Sequence, residues 1–321
     1  MKVAVTDYTF DALDVEAKVL EPLGCEVVGQ KIGKDPQQLI PLVKDADFVI
    51  TQFAPVNADV IGAMQKCKVI VRYGIGVDNV DLRAAAAKGI PVCNVPDYCI
   101  DEVADYALAM ILDLTRKITA NATKIRSGTW GCAVPLEAFF TLKDMTVGVV
   151  GFGRIGREVA ARLKAFKCKV LVYDPPVDAA VIAAAGCTAV SLDELFRTSD
   201  LVTLHCPSNE QTHQMINAQS ISRMKRGVML VNTSRGTLVK TDDLTAALQS
   251  GQISAAALDV ADPEPLPAGH PLVKMDNVII TAHLASASPR AVHNLRSTVA
   301  NIVATACRGE KLPNIVNGVK G

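Results

Sequence analysis

The sequence predicts an α/β protein made of two doubly wound parallel sheets. Three observations carry this. Short β-branched runs alternate with amphipathic helical stretches almost from end to end. The alternation runs once from the N-terminus, breaks at a long apolar helix followed by an irregular stretch, and then restarts. A glycine-rich turn opens the second run and not the first, so a complete α/β unit precedes it.

In the first run the strand candidates are 3–6, 27–28, 48–51, 69–72 and 92–94, with amphipathic stretches at 11–22, 36–45, 57–65 and 79–88 between them. Such alternation implies parallel strands joined by right-handed crossovers, here a small five-stranded flavodoxin-like domain. A longer helix is expected over 103–118, where Ala104, Ala107, Leu108, Ile111, Leu112 and Leu114 form a broad apolar face and Asp101 can cap the start. Residues 119–143 read as irregular and contain Gly128, Gly131, Pro135 and the only tryptophan, Trp130. A stretch of that length without structure is expected to pack on something else, such as a second subunit in a homodimer. Strands then follow at 146–150, 169–173, 201–205, 228–232, 256–259 and 278–281, the beat of a six-stranded nucleotide-binding sheet. A last helix is expected over 290–308.

Composition narrows the class of function. Apolar residues make up 50% of the 321 and charged residues 21%, enough for two cores and far from a disordered composition. The 33 basic and 33 acidic side chains balance, which argues against a nucleic-acid binder working through a basic field. The aromatic content of 4% leaves few stacking platforms for single strands. No apolar run is long enough to span a membrane, and the start of the chain does not read as a signal peptide. The nine cysteines are scattered with no C-x-x-C spacing, so neither a disulfide framework nor a metal site is expected. Free thiols in a reducing cytoplasm are the simplest reading. His205, His213, His270 and His293 also lack metal-ligand spacing.

The sharpest local signal is Gly151-Phe152-Gly153-Arg154-Ile155-Gly156. It follows an apolar strand and opens a helix at 154–166, the context that gives a G-x-G-x-x-G pattern its meaning. Gly151 permits the tight turn, Gly153 lets backbone approach a pyrophosphate, and Gly156 lets helix and strand pack closely. The helix N-terminus offers N–H donors and partial positive charge to the phosphates. The next strand ends in Asp174, 18 residues after Gly156. A carboxylate there accepts from ribose hydroxyls and repels a 2′-phosphate, so NAD is the expected cofactor rather than NADP.

Three polar residues sit just past strand ends in the second half: Arg235, Glu264 and His283. Ligands of open α/β sheets lie beyond the carboxyl ends of strands, so these three can converge. Hydride transfer at a 2-hydroxy acid needs that set. A permanent cation holds the carboxylate and polarises the carbonyl, and arginine provides a rigid fork for it. A group that gives and takes a proton near neutral pH suits histidine. A carboxylate orients the imidazole.

With these residues in view, the chain resembles the D-isomer-specific 2-hydroxyacid dehydrogenase family, which includes phosphoglycerate dehydrogenase, glyoxylate/hydroxypyruvate reductase and the C-terminal-binding-protein co-repressors. The resemblance rests on Arg72-Tyr73-Gly74-Ile75-Gly76-Val77-Asp78-Asn79-Val80-Asp81, the glycine loop, Asn232-Thr233-Ser234-Arg235-Gly236, Asp259 with Glu264-Pro265, and the His283 segment. It covers nearly the whole chain. It implies a discontinuous substrate domain, 1–101 plus 289–321, with an NAD-binding Rossmann domain inserted at 102–288. It implies catalytic roles for Arg235, Glu264 and His283, and a substrate-carboxylate site at the backbone amides of Gly74, Ile75 and Gly76. It further implies cofactor contacts from the backbone of Arg154 and Ile155, from Cys206-Pro207, Thr233 and Val103, and from Asp259 to the nicotinamide carboxamide. The implied activity is NAD-dependent interconversion of a small 2-oxo acid and its D-2-hydroxy acid. The alternative is an NAD(H)-sensing co-repressor or scaffold of the same fold.

The family pattern is not met everywhere. Ala282 stands where a proline commonly precedes the histidine, and Leu284-Ala285-Ser286-Ala287-Ser288 lacks both the glycine pair of many phosphoglycerate dehydrogenases and the tryptophan of the co-repressors. Those departures touch the substrate side chain and not the chemistry. Glu264 speaks against a formate-type enzyme, whose corresponding position resembles glutamine. No C-terminal regulatory domain is expected after residue 321.

Overall fold

The computed structural model describes residues 1–31 and 35–320. The chain divides into two compact units, Met1–Tyr98 with Ser288–Gly321, and Cys99–Ala287.

The first unit begins β1 (Lys2–Val5), α1 (Asp14–Leu20), β2 (Glu26–Gly29), α2 (Pro36–Val43), β3 (Phe48–Thr51), α3 (Ala58–Ala63), β4 (Val69–Arg72), α4 (Leu82–Ala87) and β5 (Val92–Cys93). Its strands are parallel in the order β2-β1-β3-β4-β5. β3 and β4 are buried at every residue, which is why each opens with three consecutive apolar residues and does not alternate. Asn57 and Asp81 cap α3 and α4 through the N–H groups of Val60 and Ala84.

The second unit runs through α5 (Ile100–Arg116), α6 (Ile118–Arg126), β6 (Thr146–Val150), α7 (Arg154–Ala165), β7 (Lys169–Tyr173), α8 (Ala179–Ala184), β8 (Thr188–Ala189), α9 (Leu192–Thr198), β9 (Leu201–Leu204), α10 (Ala218–Ile221), β10 (Val228–Asn232), α11 (Thr241–Ser250), β11 (Ile253–Leu258) and β12 (Val278–Ile280). Its sheet is parallel with the order β12-β11-β10-β9-β6-β7-β8. The order reverses at β6, so the loop after β6 opens at the topological switch point, where such sheets bind ligands.

The chain then returns to the first unit as α12 (Pro289–Cys307), capped by Ser288, which accepts from Ala291 N at 2.9 Å. α12 packs on α1 and β4. Between these helices Arg296 grips the fully buried Glu16 with both ends of its fork, at 3.0 and 2.7 Å, and reaches Asp14 at 2.9 Å.

Three expectations need correcting. The second sheet has seven strands, because the two-residue β8 is too short to show as a periodic run. Residues 118–126 form α6 instead of irregular chain. α5 stops at Arg116 because Lys117 turns left-handed (φ 56°) and restarts the helix, and Asp113 takes Thr119 N at 2.8 Å. Asp101 does not cap α5; Cys99 occupies that place, and Asp101 pairs with Arg162 of α7 at 2.9 Å.

Candidate functional site

The glycine loop of the second unit is shaped by close backbone approaches. Gly151 has φ 95°, and a Cβ there would lie 2.6 Å from Cys206 N and 2.7 Å from His205 O. The loop after β9, with Cys206 and Pro207, therefore lies against the glycine turn only because residue 151 has no side chain. A Cβ on Gly156 would lie 2.1 Å from Gly151 O. A Cβ on Gly153 would meet nothing within 4 Å. Gly153 is the N-cap of α7 and offers no side-chain cap, and the N–H groups of Arg154 and Ile155 have no acceptor among the described residues. Helix donors left open beside an unobstructed backbone fit an anionic pyrophosphate. Asp174, at the end of β7, accepts from Phe152 N at 2.6 Å, so this carboxylate also ties the loop to the neighbouring strand. Thr233 Oγ1 is buried with no partner among the described residues, an unmet polar atom that a bound nicotinamide group would satisfy. Val103 is buried near the start of α5, the helix that packs along α7 and is pinned there by Arg162 through Asp101 and Asp105.

The triad candidates stand on the loops after β10, β11 and β12. The β10 loop is folded by Asn232, whose amide donates to Arg235 O at 2.8 Å and accepts from Ser234 N at 3.0 Å. Ser234 Oγ fastens the loop to Leu204 O at 2.7 Å. A Cβ on Gly236 would lie 1.9 Å from Ala261 O, so the loops after β10 and β11 touch backbone to backbone. Beyond that contact, Glu264 Oε1 lies 2.8 Å from His283 Nδ1. A carboxylate can only accept, so in this pair Nδ1 carries the proton. His283 is in the left-handed region (φ 57°), an unusual place for a side chain with a Cβ.

Asp259 explains how that conformation is held. The residue is 1% exposed, and its carboxylate accepts from Thr281 Oγ1 (2.6 Å), Leu284 N (2.8 Å) and Ala285 N (2.8 Å), while its carbonyl accepts from His283 N (2.8 Å). It clamps the chain on both sides of His283.

The third candidate group, Gly74-Ile75-Gly76, lies in the first unit at the carboxyl end of β4. Gly74 has φ 144°, and a Cβ there would overlap Arg72 Nη1, only 1.5 Å away. The peptide oxygens of Gly74 and Ile75 are taken by Val95 N (3.0 Å) and Asn94 Nδ2 (2.7 Å). The N–H groups of Ile75 and Gly76 have no acceptor among the described residues, as an anion nest requires. Sequence reasoning passed over Asn94 and Asn232. Both share a signal that could have found them: a single amide side chain ending an otherwise apolar buried strand.

Among the described residues no cluster of three or more His, Cys, Asp or Glu could hold a metal ion, and no helix is long and apolar enough to cross a membrane.

Comparison with known proteins identifies the family. Residues 108–285 match the family model for the D-isomer specific 2-hydroxyacid dehydrogenase NAD binding domain. The glyoxylate reductase of Korarchaeum cryptofilum is 38% identical over 286 residues, covering 87% of this chain and 85% of that protein. The D-3-phosphoglycerate dehydrogenase of Methanocaldococcus jannaschii is 37% identical over 99% of this chain, which spans 59% of that longer protein. The structure of D-lactate dehydrogenase from Aquifex aeolicus, complexed with NAD and lactic acid, superposes with a TM-score of 0.86 at 30% identity, covering 96% of each chain. With the family's NAD-binding domain matched over more than half its length, the chain belongs to the D-isomer specific 2-hydroxyacid dehydrogenases.

Proposed function

We propose that the protein is an NAD-dependent oxidoreductase that interconverts a small 2-oxo acid and its D-2-hydroxy acid, with Arg235, Glu264 and His283 as its catalytic residues. The observation that carries the reading is the His283–Glu264 pair at 2.8 Å on a loop clamped by Asp259, within the matched NAD-binding domain. In this reading Cys99–Ala287 is the cofactor unit, and Met1–Tyr98 with Ser288–Gly321 is the substrate unit.

Bound NADH supplies the hydride. Arg235 holds the substrate carboxylate and polarises the carbonyl, and the Ile75 and Gly76 amides take the carboxylate's other lone pairs. His283 gives its Nε2 proton to the developing alkoxide, while Glu264 keeps the Nδ1 proton in place and balances the imidazolium formed in the reverse direction. The cofactor would rest on the Gly151, Gly153, Arg154, Ile155 and Gly156 backbone, with Asp174 at the ribose, and Cys206, Pro207, Val103, Thr233 and Asp259 would line it. The structure supports a cytoplasmic setting through its nine free thiols. It supports a homodimer through the apolar surface of α6 and the chain after it, where Trp130 is 92% and Leu136 73% exposed.

The test is NADH oxidation with a panel of glyoxylate, hydroxypyruvate, pyruvate, phosphohydroxypyruvate and branched 2-oxo acids. Turnover of at least one is expected, with His283→Ala lowering kcat about 100-fold while NADH still binds. Tight NADH binding without turnover of any of them refutes the enzyme and leaves a cofactor-sensing scaffold.

A further inference from the structure

The nest at residues 74–76 works only if its two N–H groups point the same way, and the first unit contains the parts that turn them. A trans peptide carries its N–H and C=O on opposite sides, so fixing the oxygen aims the hydrogen. The Gly74–Ile75 peptide is fixed by Val95 N donating to Gly74 O at 3.0 Å. The Ile75–Gly76 peptide is fixed by Asn94 Nδ2 donating to Ile75 O at 2.7 Å. Both restraints come from the adjacent residues 94 and 95 at the end of β5, so the Ile75 and Gly76 N–H groups are both turned away from β5. Asn94 is itself set by the C-terminal tail: its N–H donates to Asn314 O at 3.3 Å, Cys93 pairs with Ile315, and Val92 N donates to Asn317 Oδ1 at 3.1 Å. Asn94 is 8% exposed, so its amide is held in that bond rather than sampling solvent.

We infer that Asn94 is a positioning residue for substrate: it never touches the 2-oxo acid but aligns the Gly76 amide that does, and the tail at 314–317 holds Asn94 in register. The inference rests on the function proposed above and adds to it the device that sets the affinity for the carboxylate. Without the Asn94 bond the Ile75–Gly76 peptide is free to rotate, and one of the two donors no longer faces the anion. The loss falls on substrate binding and leaves the cofactor untouched.

The test compares wild type with Asn94→Ala, which deletes the donor, and Asn94→Asp, which keeps the shape but can only accept. Steady-state kinetics with the best 2-oxo acid of the panel are read beside the NADH Kd from fluorescence and the Kd of oxamate, a non-reacting carboxylate analogue, in the presence of NADH. The expected result is KM and oxamate Kd raised about tenfold in Asn94→Ala and further in Asn94→Asp, with NADH Kd unchanged and kcat within about threefold. A merely structural role would lower the melting temperature without separating substrate from cofactor affinity. Folded variants with unaltered KM and oxamate Kd overturn the inference while leaving the proposed function standing. A wild type that neither turns over a 2-oxo acid nor binds oxamate overturns both.

Discussion

Adding one methyl group at Gly153 or at Gly156 separates the two duties of the glycine loop. The Cβ of Gly156→Ala would sit 2.1 Å from Gly151 O and 3.0 Å from its carbonyl carbon, and neither atom belongs to a movable side chain. α7 must back away from β6, and overpacking of this kind costs about 1–3 kcal/mol. At roughly 2–4 °C per kcal/mol for a domain of this size, the melting temperature falls by about 2–12 °C. The Cβ of Gly153→Ala meets nothing within 4 Å, and the residue's φ of −70° suits alanine. Its melting temperature stays within about 1 °C of wild type. Yet under the proposed function the methyl would stand where the pyrophosphate approaches, so NADH affinity is expected to drop at least tenfold, about 1.4 kcal/mol. Thermal denaturation and NADH fluorescence titration read both variants. A Gly153→Ala protein that melts and binds NADH like wild type would show that the open face of this turn is not where the phosphates lie.

Three further outcomes are expected. Asp174→Ala lowers the NADH-over-NADPH ratio of kcat/KM by about tenfold, because the carboxylate that repels a 2′-phosphate is gone; an unchanged ratio removes Asp174 from the ribose. Burial pushes the His205 imidazole down to about 4 from 6.5, so the unfolded chain binds this proton more readily than the folded one and stability falls as pH drops through that window. Urea unfolding at pH 5 against pH 8 reads about 2 kcal/mol of such loss, which His205→Gln abolishes; an identical pH slope in the variant refutes the assignment. Arg296→Met leaves Glu16 buried without its cation and destabilises the first unit by about 3–5 kcal/mol, measurable by chemical denaturation.

What could be read from the chain beforehand follows from how local each requirement is. The glycine turn needs three missing side chains within six residues and an acid at the end of the next strand, all of it written contiguously at Gly151–Gly156 and Asp174. Arg235, Glu264 and His283 were readable as polar residues closing apolar strands. The 2.8 Å approach of His283 to Glu264 was not, because it depends on the Asp259 clamp and on a left-handed histidine. The same distance from local rules hid the clamp role of Asp259: that a strand-end carboxylate also gathers three donors from residues 281–285 is not written in its neighbours. α6 was missed because it buries none of its residues, and two isoleucines seven apart, Ile118 and Ile125, are too sparse an apolar pattern to mark a helix. The seventh strand was missed because two residues, Thr188 and Ala189, show no period.

The return of α12 to the first unit sets an order on folding. Glu16 and Arg296 are joined across 280 residues, and the ribosome delivers the glutamate long before its arginine. Until then β1–β5 lack the helix that covers α1 and β4, and a carboxylate destined for zero exposure has no cation. The interrupting unit, Cys99–Ala287, is complete before α12 emerges and can fold without waiting for either chain end. A chain stopped at Ala287 would therefore release a folded cofactor unit attached to an unfinished partner.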